Sequence, residues 1–324
     1  MKVFAGAGSE NHAIVYLART YTGEIVEFVE SVQPPIPREK KWVIIVSSLH
    51  GCPVGCPICD AGGFYRGKLS KEEILSQIDF VIDRRYPNRE IPVEKFKIQF
   101  ARVGEPAFNR AVLEVLEILP TRYLAPGLMP TISTVAPSCS QGFFERMLEI
   151  KNRLYNRGNF QLQFSIHTTC EAERDRLIPI KKWGFSEIAD YASRFHGIAD
   201  RKVTLNFALA RGSELDPAVL RRFFDPDLFL IKITPINPTY SAVSNALTTF
   251  VDPKDETASQ KTITEIREAG YEVILSIGNL EENFIGSNCG QFIAKYLSEQ
   301  KALEGGYTYN INEIPKPAGE TLQY

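Results

Sequence analysis

The chain lacks a membrane span: nowhere in its 324 residues do the roughly 18–20 consecutive apolar side chains of a transmembrane helix occur. A charged n-region followed by an apolar stretch is missing as well, so a cytoplasmic location is expected. An excess of charge of one sign is also lacking. Against 37 Lys and Arg stand 39 Asp and Glu, a formal net charge of −2, which gives no overall electrostatic footprint for nucleic acid and leaves only a local basic patch open. Cysteine is scarce, six in all, and uneven: three fall between Cys52 and Cys59, while Cys139, Cys170 and Cys289 stand alone. A secreted disulfide scaffold spreads many pairs over a short chain, whereas clustering points to a metal in a reducing compartment. Repeats, low-complexity segments and an interdomain linker are not seen. What is present is 44% hydrophobic and 23% charged residues, enough to bury one large core without staples, and a composition that excludes disorder, collagen and coiled coil.

Two β-rich runs, Ala13–Leu17 and Ile25–Val29, flank the turn signal Tyr21-Thr22-Gly23 and read as a hairpin. Pro34, Pro35 and Pro37 then form a stiff joint before the basic Arg38–Lys41. Beyond it, strands alternate with helices. Strands are expected at Trp42–Ser48, Phe96–Ala101, Thr131–Ala136, Leu162–His167, Val203–Leu209, Leu228–Ile236 and Val273–Ile277. Ser70-Lys71-Glu72-Glu73 is a capping box opening a helix to about Arg85, and further helices are expected at Arg110–Leu119, Gly142–Arg153 and Glu256–Ala269. This order implies right-handed βαβ units and an α/β fold, a partial (βα)6 TIM-like barrel. The expected division is a hairpin extension over 1–40, the barrel over 41–290, and a C-terminal helix and tail over 291–324. In such barrels the chemistry sits at the carboxyl ends of the strands.

The cysteine cluster follows the first barrel strand: Gly51-Cys52-Pro53-Val54-Gly55-Cys56-Pro57-Ile58-Cys59-Asp60-Ala61-Gly62-Gly63. Three thiolates at C-x3-C-x2-C can hold three irons of a cubane and leave the fourth open. A zinc site would want a fourth Cys or His nearby. His50 is the one neighbour on offer, too close to Cys52 for an easy tetrahedron. Structural zinc and unligated thiols are the plainer alternatives.

This spacing resembles the radical S-adenosylmethionine (SAM) signature, and later motifs resemble one family within it, the RlmN/Cfr RNA adenosine carbon methyltransferases. Gly23-Glu24-Ile25-Val26-Glu27 resembles the family's G-x-x-V-E, and Val46-Ser47-Ser48-Leu49-His50-Gly51-Cys52 its V-S-S-Q-V-G-C. Gly104-Glu105-Pro106 resembles M-G-E-P, Ser133-Thr134 the S-T-S-G stretch, and Ser165-Ile166-His167 the S-L-H stretch. Arg174-Asp175 with Ile178-Pro179-Ile180 resembles R-D-x-x-x-P-I, and Thr234-Pro235-Ile236-Asn237-Pro238 resembles I-P-F-N-P. Asn288-Cys289-Gly290-Gln291 resembles A-C-G-Q.

The resemblance implies a radical SAM barrel with a [4Fe–4S] cluster on Cys52, Cys56 and Cys59, and SAM held by Gly104, Glu105, Ser133, Ser165, His167 and Asn237. The residue types suit that cofactor: a carboxylate for its ammonium, hydroxyls and an amide for its carboxylate and ribose. Cleavage of SAM would give a 5′-deoxyadenosyl radical, with flavodoxin or ferredoxin as electron donor. The resemblance also implies catalytic roles for Cys289, which would carry a methyl group taken from SAM, and for Glu27.

Four departures stand beside these matches. The hairpin begins almost at residue 1, where the family has a helical RNA-binding domain. Ile45 occupies the place of a second catalytic cysteine, seven residues before Cys52. Gly278-Asn279-Leu280-Glu281-Glu282-Asn283 is acidic where the family is basic, and the joint after Glu27 is longer. The expected substrate is therefore a small molecule or nucleoside rather than ribosomal RNA, with Cys139 or Cys170 as candidates for the absent thiol. Direct hydrogen abstraction with an inert Cys289, RNA methylation, and a non-catalytic electron carrier are the alternatives.

Overall fold

A strand buried on one face by helices must satisfy its backbone sideways, and seven such strands in series do so by pairing in parallel. The computed structural model describes residues 1–251, 257–278, 280–288, 292–293, 296, 306 and 308–313. Its first elements are β1 (Lys2–Gly8), β2 (Ala13–Arg19), β3 (Ile25–Ser31) and β4 (Trp42–Val46), then the short pair β5 (Leu49–His50) and β6 (Gly67–Lys68) and helix α1 (Lys71–Arg85). There follow β7 (Phe96–Phe100), α2 (Ala111–Arg122), β8 (Leu128–Thr134), α3 (Gln141–Leu154), β9 (Gln161–Ser165), α4 (Glu171–Leu177) and α5 (Phe185–Phe195). The chain continues through β10 (Val203–Ala208), α6 (Pro217–Phe223), β11 (Phe229–Thr234), α7 (Tyr240–Ser244), α8 (Thr257–Glu268), β12 (Glu272–Leu275), α9 (Leu280–Ile285) and β13 (Asn312–Glu313).

Strands β4, β7, β8, β9, β10, β11 and β12 lie side by side in chain order, all parallel, so six βα units lead to a seventh strand. This is the expected partial barrel. The capping box forms as read: Glu73 N–H donates to Ser70 Oγ at 3.1 Å, and Ser70 N–H to Glu73 Oε2 at 2.9 Å.

Alternation along each strand decides what the barrel encloses. The outward residues Ile44, Phe100, Ile132, Phe164, Leu205 and Ile231 are fully buried with the helices in the main core. Their inward neighbours, among them Lys97, Gln99, Ser133, Ser165, Asn206 and Lys232, keep partial solvent access. The lumen is thus lined by polar groups reached by solvent, unlike the packed interior of a full TIM barrel.

The expected hairpin forms as β2 against β3. β1 precedes it, so three antiparallel strands form, and β3 joins β4 antiparallel through Val29 opposite Ile45. One sheet therefore runs from β13 through β1 to β12. The inner face of β1–β3 (Ala5, Ala7, Val15, Leu17, Val29) buries Ile285, Phe292 and Ile293 in a second core. The expected C-terminal helix falls largely outside the described residues. No helix among those described is long and apolar enough to cross a membrane.

Candidate functional site

The cysteine loop leaves β5 and is shaped by close backbone packing. Gly51 sits at φ +74°, and a Cβ there would lie 2.5 Å from the Phe64 carbonyl oxygen, so only glycine lets the two ends of the loop close. Cys52 N–H donates to Ala61 O at 2.7 Å, Cys59 N–H to Cys56 O at 3.1 Å, and Ala61 N–H to the Cys59 sulfur at 3.4 Å. From the far side the loop is fastened to the segment after β11. Asp60 accepts the N–H groups of Tyr240 (3.1 Å) and Ser241 (2.7 Å), and Thr239 Oγ1 donates to Ile58 O at 3.0 Å. That segment carries Asn237, two residues before Thr239, whose N–H donates to the Asn237 carbonyl at 2.8 Å.

Cys52 and Cys56 pack against Val54, Val135, Leu177 and Ile178. Burial pushes the Cys52 thiol up to about 11, while the Cys56 thiol is driven well above its usual value by burial and by the nearby Cys59, Cys52 and Glu105. Three thiols that repel one another's ionisation in an apolar cradle are costly as free thiolates. Iron removes that cost, so the residues fit the cluster the motif implies. Among the described residues no group of three or more His, Cys, Asp or Glu could hold a single metal ion. A cluster, whose thiolates cap separate irons, makes a different demand.

Glu105 stands directly beside these thiols. Its N–H donates to the Cys52 sulfur. Its buried carboxylate accepts Ala107 N–H (3.0 Å), Thr134 Oγ1–H (2.5 Å) and Val135 N–H (2.9 Å), while burial raises it to about 7. Gly104, at φ +99°, lies against Leu49, and a Cβ would come within 2.5 Å of the Leu49 Cβ. The Gly-Glu-Pro turn is therefore pressed onto the strand that leads into the cysteine loop.

No protein-family model matches the chain. It is 30% identical over 238 residues to the Synechococcus protein named "Probable dual-specificity RNA methyltransferase RlmN", covering 71% of this chain. It spans 64% of that relative's length, less than two thirds. The Desulfitobacterium hafniense protein of the same name is 27% identical over 296 residues, 88% of this chain and 77% of its own. A solved radical SAM methyltransferase from Sphaerobacter thermophilus shares the fold at TM-score 0.71, with 20% identity over 90% of this chain and 81% of that one. The chain is RlmN/Cfr-like.

Of the remaining RlmN/Cfr-like motifs, Ser133-Thr134, Ser165-Ile166-His167 and Thr234-Pro235-Ile236-Asn237-Pro238 fall at or just beyond the carboxyl ends of β8, β9 and β11, whereas Arg174-Asp175 lies on α4. Ser133 Oγ accepts from Gln163 Nε2 at 3.3 Å, and Ser165 closes β9 facing the lumen. His167 is buried at φ +69° and accepts Ala208 N–H on Nδ1 at 3.1 Å, which leaves the proton on Nε2. Burial, with the nearby Arg174 charge, lowers His167 to about 4 and keeps it neutral. Cys139 is exposed in the turn after β8, and Cys170 is half-buried at the start of α4. Cys289 lies outside the described residues.

Glu27 is not free at the site. Its Oε1 pairs with Arg102 Nε at 2.7 Å, and its Oε2 accepts Ile293 N–H at 2.7 Å. Phe292 N–H donates to the same carboxylate. Burial pushes the Glu27 carboxyl up, opposed first by Arg102 and then by these donors. Arg102 in turn donates to the carbonyls of Ser287 (2.9 Å) and Gly286 (2.7 Å). The buried pair thus grips the chain on both sides of position 289. Ile45, at the place of the family's second cysteine, packs against the core that holds Phe292 and Ile293.

Arg102, Thr134 and Asp60 were not singled out in the sequence as site residues. Thr134 adjoins Ser133, and Asp60 follows Cys59, so position alone was a signal for both. Arg102 gave none.

Proposed function

We propose that this chain is a radical SAM methyl- or methylene-transferase that binds a [4Fe–4S] cluster on Cys52, Cys56 and Cys59 and uses Cys289 as methyl carrier on a small-molecule or nucleoside substrate. The observation that carries the reading is the junction of Glu105 with the thiols: its N–H meets Cys52 and its carboxylate lies within electrostatic reach of Cys52 and Cys56. When bound, the cluster supplies one electron and an open iron site for SAM.

This chain's own residues do the rest. Glu105 offers a carboxylate to the SAM ammonium, with Thr134 and Val135 fixing its orientation. Ser165 at the end of β9 and Asn237 beyond β11 reach the cofactor, and neutral His167 offers an Nε2–H donor. The apolar wall of Val54, Val135 and Ile178 shields one side of the half-buried thiols. Glu27 and Arg102 are positioning residues for the segment bearing Cys289. Ile45 offers no acid, base or nucleophile, so product release relies on Cys139, Cys170 or the substrate itself.

RNA methylation, the activity in the relatives' name, is the second reading. Glu281 and Glu282, both on α9 close before position 289, weigh against a polyanion there, because like charge repels phosphate. The test is anaerobic reconstitution. The protein should take up about four irons and four sulfides and give an EPR signal on reduction that SAM alters. Ala at Cys52, Cys56 or Cys59 should abolish both. Stoichiometric zinc without iron would end the reading.

A further inference from the structure

The barrel lumen has a polarity that the motifs do not account for. At its carboxyl end stand Glu105 and the thiols. Below it stand cations: Lys97, the second residue of β7, lies toward the amino end, and Lys232, the fourth of six residues in β11 and opposite Asn206, lies higher, both facing inward. The same-face contacts confirm the direction, since Lys97 Nζ donates to Gln161 Oε1 at 2.9 Å and Gln161 Nε2 to Thr204 Oγ1 at 3.4 Å, across neighbouring strands. Lys41, Lys95 and Arg201 add their fields from the amino ends of β4, β7 and β10. Burial and these like charges depress the Lys97 ammonium to about 7, with Lys232 the largest of the charges. The acids nearby are Glu272 at the start of β12 and Glu282, whose charge acts on Lys41.

Two further lumen groups point to a ligand. Thr131 Oγ1 and Asn206 Oδ1 are buried and find no hydrogen-bond partner among the described residues. Thr131 is 1% exposed, and an unpaired hydroxyl at such a site costs free energy unless something else satisfies it. β8 and β10, with β9 between them, therefore present unsatisfied polar atoms to the lumen, Asn206 beside Lys232 and Thr131 beside Gln99, two residues above Lys97. Roughly 10 Å of strand separates Lys97 from the end of β7, the span of a small metabolite.

We infer that the lumen binds an anionic small molecule, its oxyanion (phosphate or carboxylate) held by Lys97 and Lys232 and its other end directed to the site beside Glu105. The inference rests on the proposed function for the identity of that upper end, and it sets the substrate class: a small acid or phosphate ester, bound tail-down. Thr131 and Asn206 contact the body of the ligand. Lys97 low in the lumen, Lys232 above it and a carboxylate at the rim favour one orientation over the reverse.

The test uses anaerobically reconstituted protein titrated calorimetrically with inorganic phosphate and, separately, with acetate. One of the two should show saturable binding at a single site, and the stronger identifies the oxyanion. Lys97→Met and Lys232→Met should each weaken it about tenfold or more, the usual loss for a charge-assisted hydrogen bond, while Lys97→Arg retains it. Removing one of several like charges should not threaten folding, and thermal melts of each variant check this. SAM cleavage measured in parallel separates the two claims. Oxyanion binding without SAM cleavage would leave the lumen site standing and refute the radical SAM function. SAM cleavage with no saturable binding of either anion, or with binding unchanged in both Met variants, would overturn the lumen site.

Discussion

Breaking the Glu27–Arg102 pair should both soften the fold and silence Cys289. The two side chains are 0% and 2% exposed, so neither charge can turn to water if its partner is removed. Loss of one partner from a buried ion pair costs about 3–5 kcal/mol. For a chain of this size about 2 °C of melting temperature accompanies each kcal/mol, which puts Glu27→Gln and Arg102→Met roughly 6–10 °C below the wild type. Arg102→Met also releases the carbonyls of Gly286 and Ser287, and Glu27→Gln weakens the hold on Phe292 and Ile293. The segment between those anchors should lose its fixed position, and methylation of Cys289 should fall with it. The double variant Glu27→Gln/Arg102→Met leaves no buried charge and should melt above the less stable single variant, a coupling that a double-mutant cycle reads directly. Calorimetric melts and peptide mass spectrometry are the assays. Single variants within about 2 °C of wild type, with Cys289 still methylated, would refute the reasoning.

Glu105→Gln should weaken SAM binding about ten- to a hundredfold, the price of a lost charge-assisted hydrogen bond, and equilibrium binding at an unchanged value would remove Glu105 from the cofactor site. Because His167 is held at about 4 against 6.5 unfolded, the unfolded chain binds the extra proton between those values. Stability from this group is then complete above pH 6.5 and is lost as pH falls toward 4, on the order of 3 kcal/mol in all. His167→Gln should flatten that part of the stability–pH curve, and a curve of wild-type slope would contradict it. Gly104→Ala must place a Cβ on Leu49 at φ +99°, and should cost about 2 kcal/mol or more in a thermal melt. A variant that melts with the wild type would show that the turn is not so constrained.

The seven barrel strands were legible because each is a short apolar run bounded by turn residues and followed by a helix with its own start signal. α1 was the clearest, since both halves of its capping box lie within four residues. β1 was not legible. Its sequence, KVFAGAG, is built of small residues with weak strand preference, and it holds as a strand through pairing with β2 and burial of Ala5 and Ala7 beneath Phe292 and Ile293. α5 could have been found, for Phe185, Ile188, Tyr191, Ala192 and Phe195 mark one buried helical face. At the site, the cysteines and Glu105 were readable as motifs because their chemistry demands fixed spacing. Arg102 was not, because an arginine at a strand end is ordinarily a surface residue and its partner comes from another part of the sheet. The lumen cations were hidden in the same way. Lys97 and Lys232 look like the polar half of an alternating strand until closure of the barrel turns that face inward.

The central claim is that Cys289 carries a methyl group, and it can be tested on the protein as isolated. Peptide mass spectrometry of the segment containing Cys289 should find the cysteine bearing one added methyl, lost in Cys289→Ala, while Cys139 and Cys170 remain unmodified. Cys289 found unmethylated in protein that cleaves SAM, with Cys289→Ala still turning over its substrate, would contradict the account and leave direct hydrogen abstraction in its place.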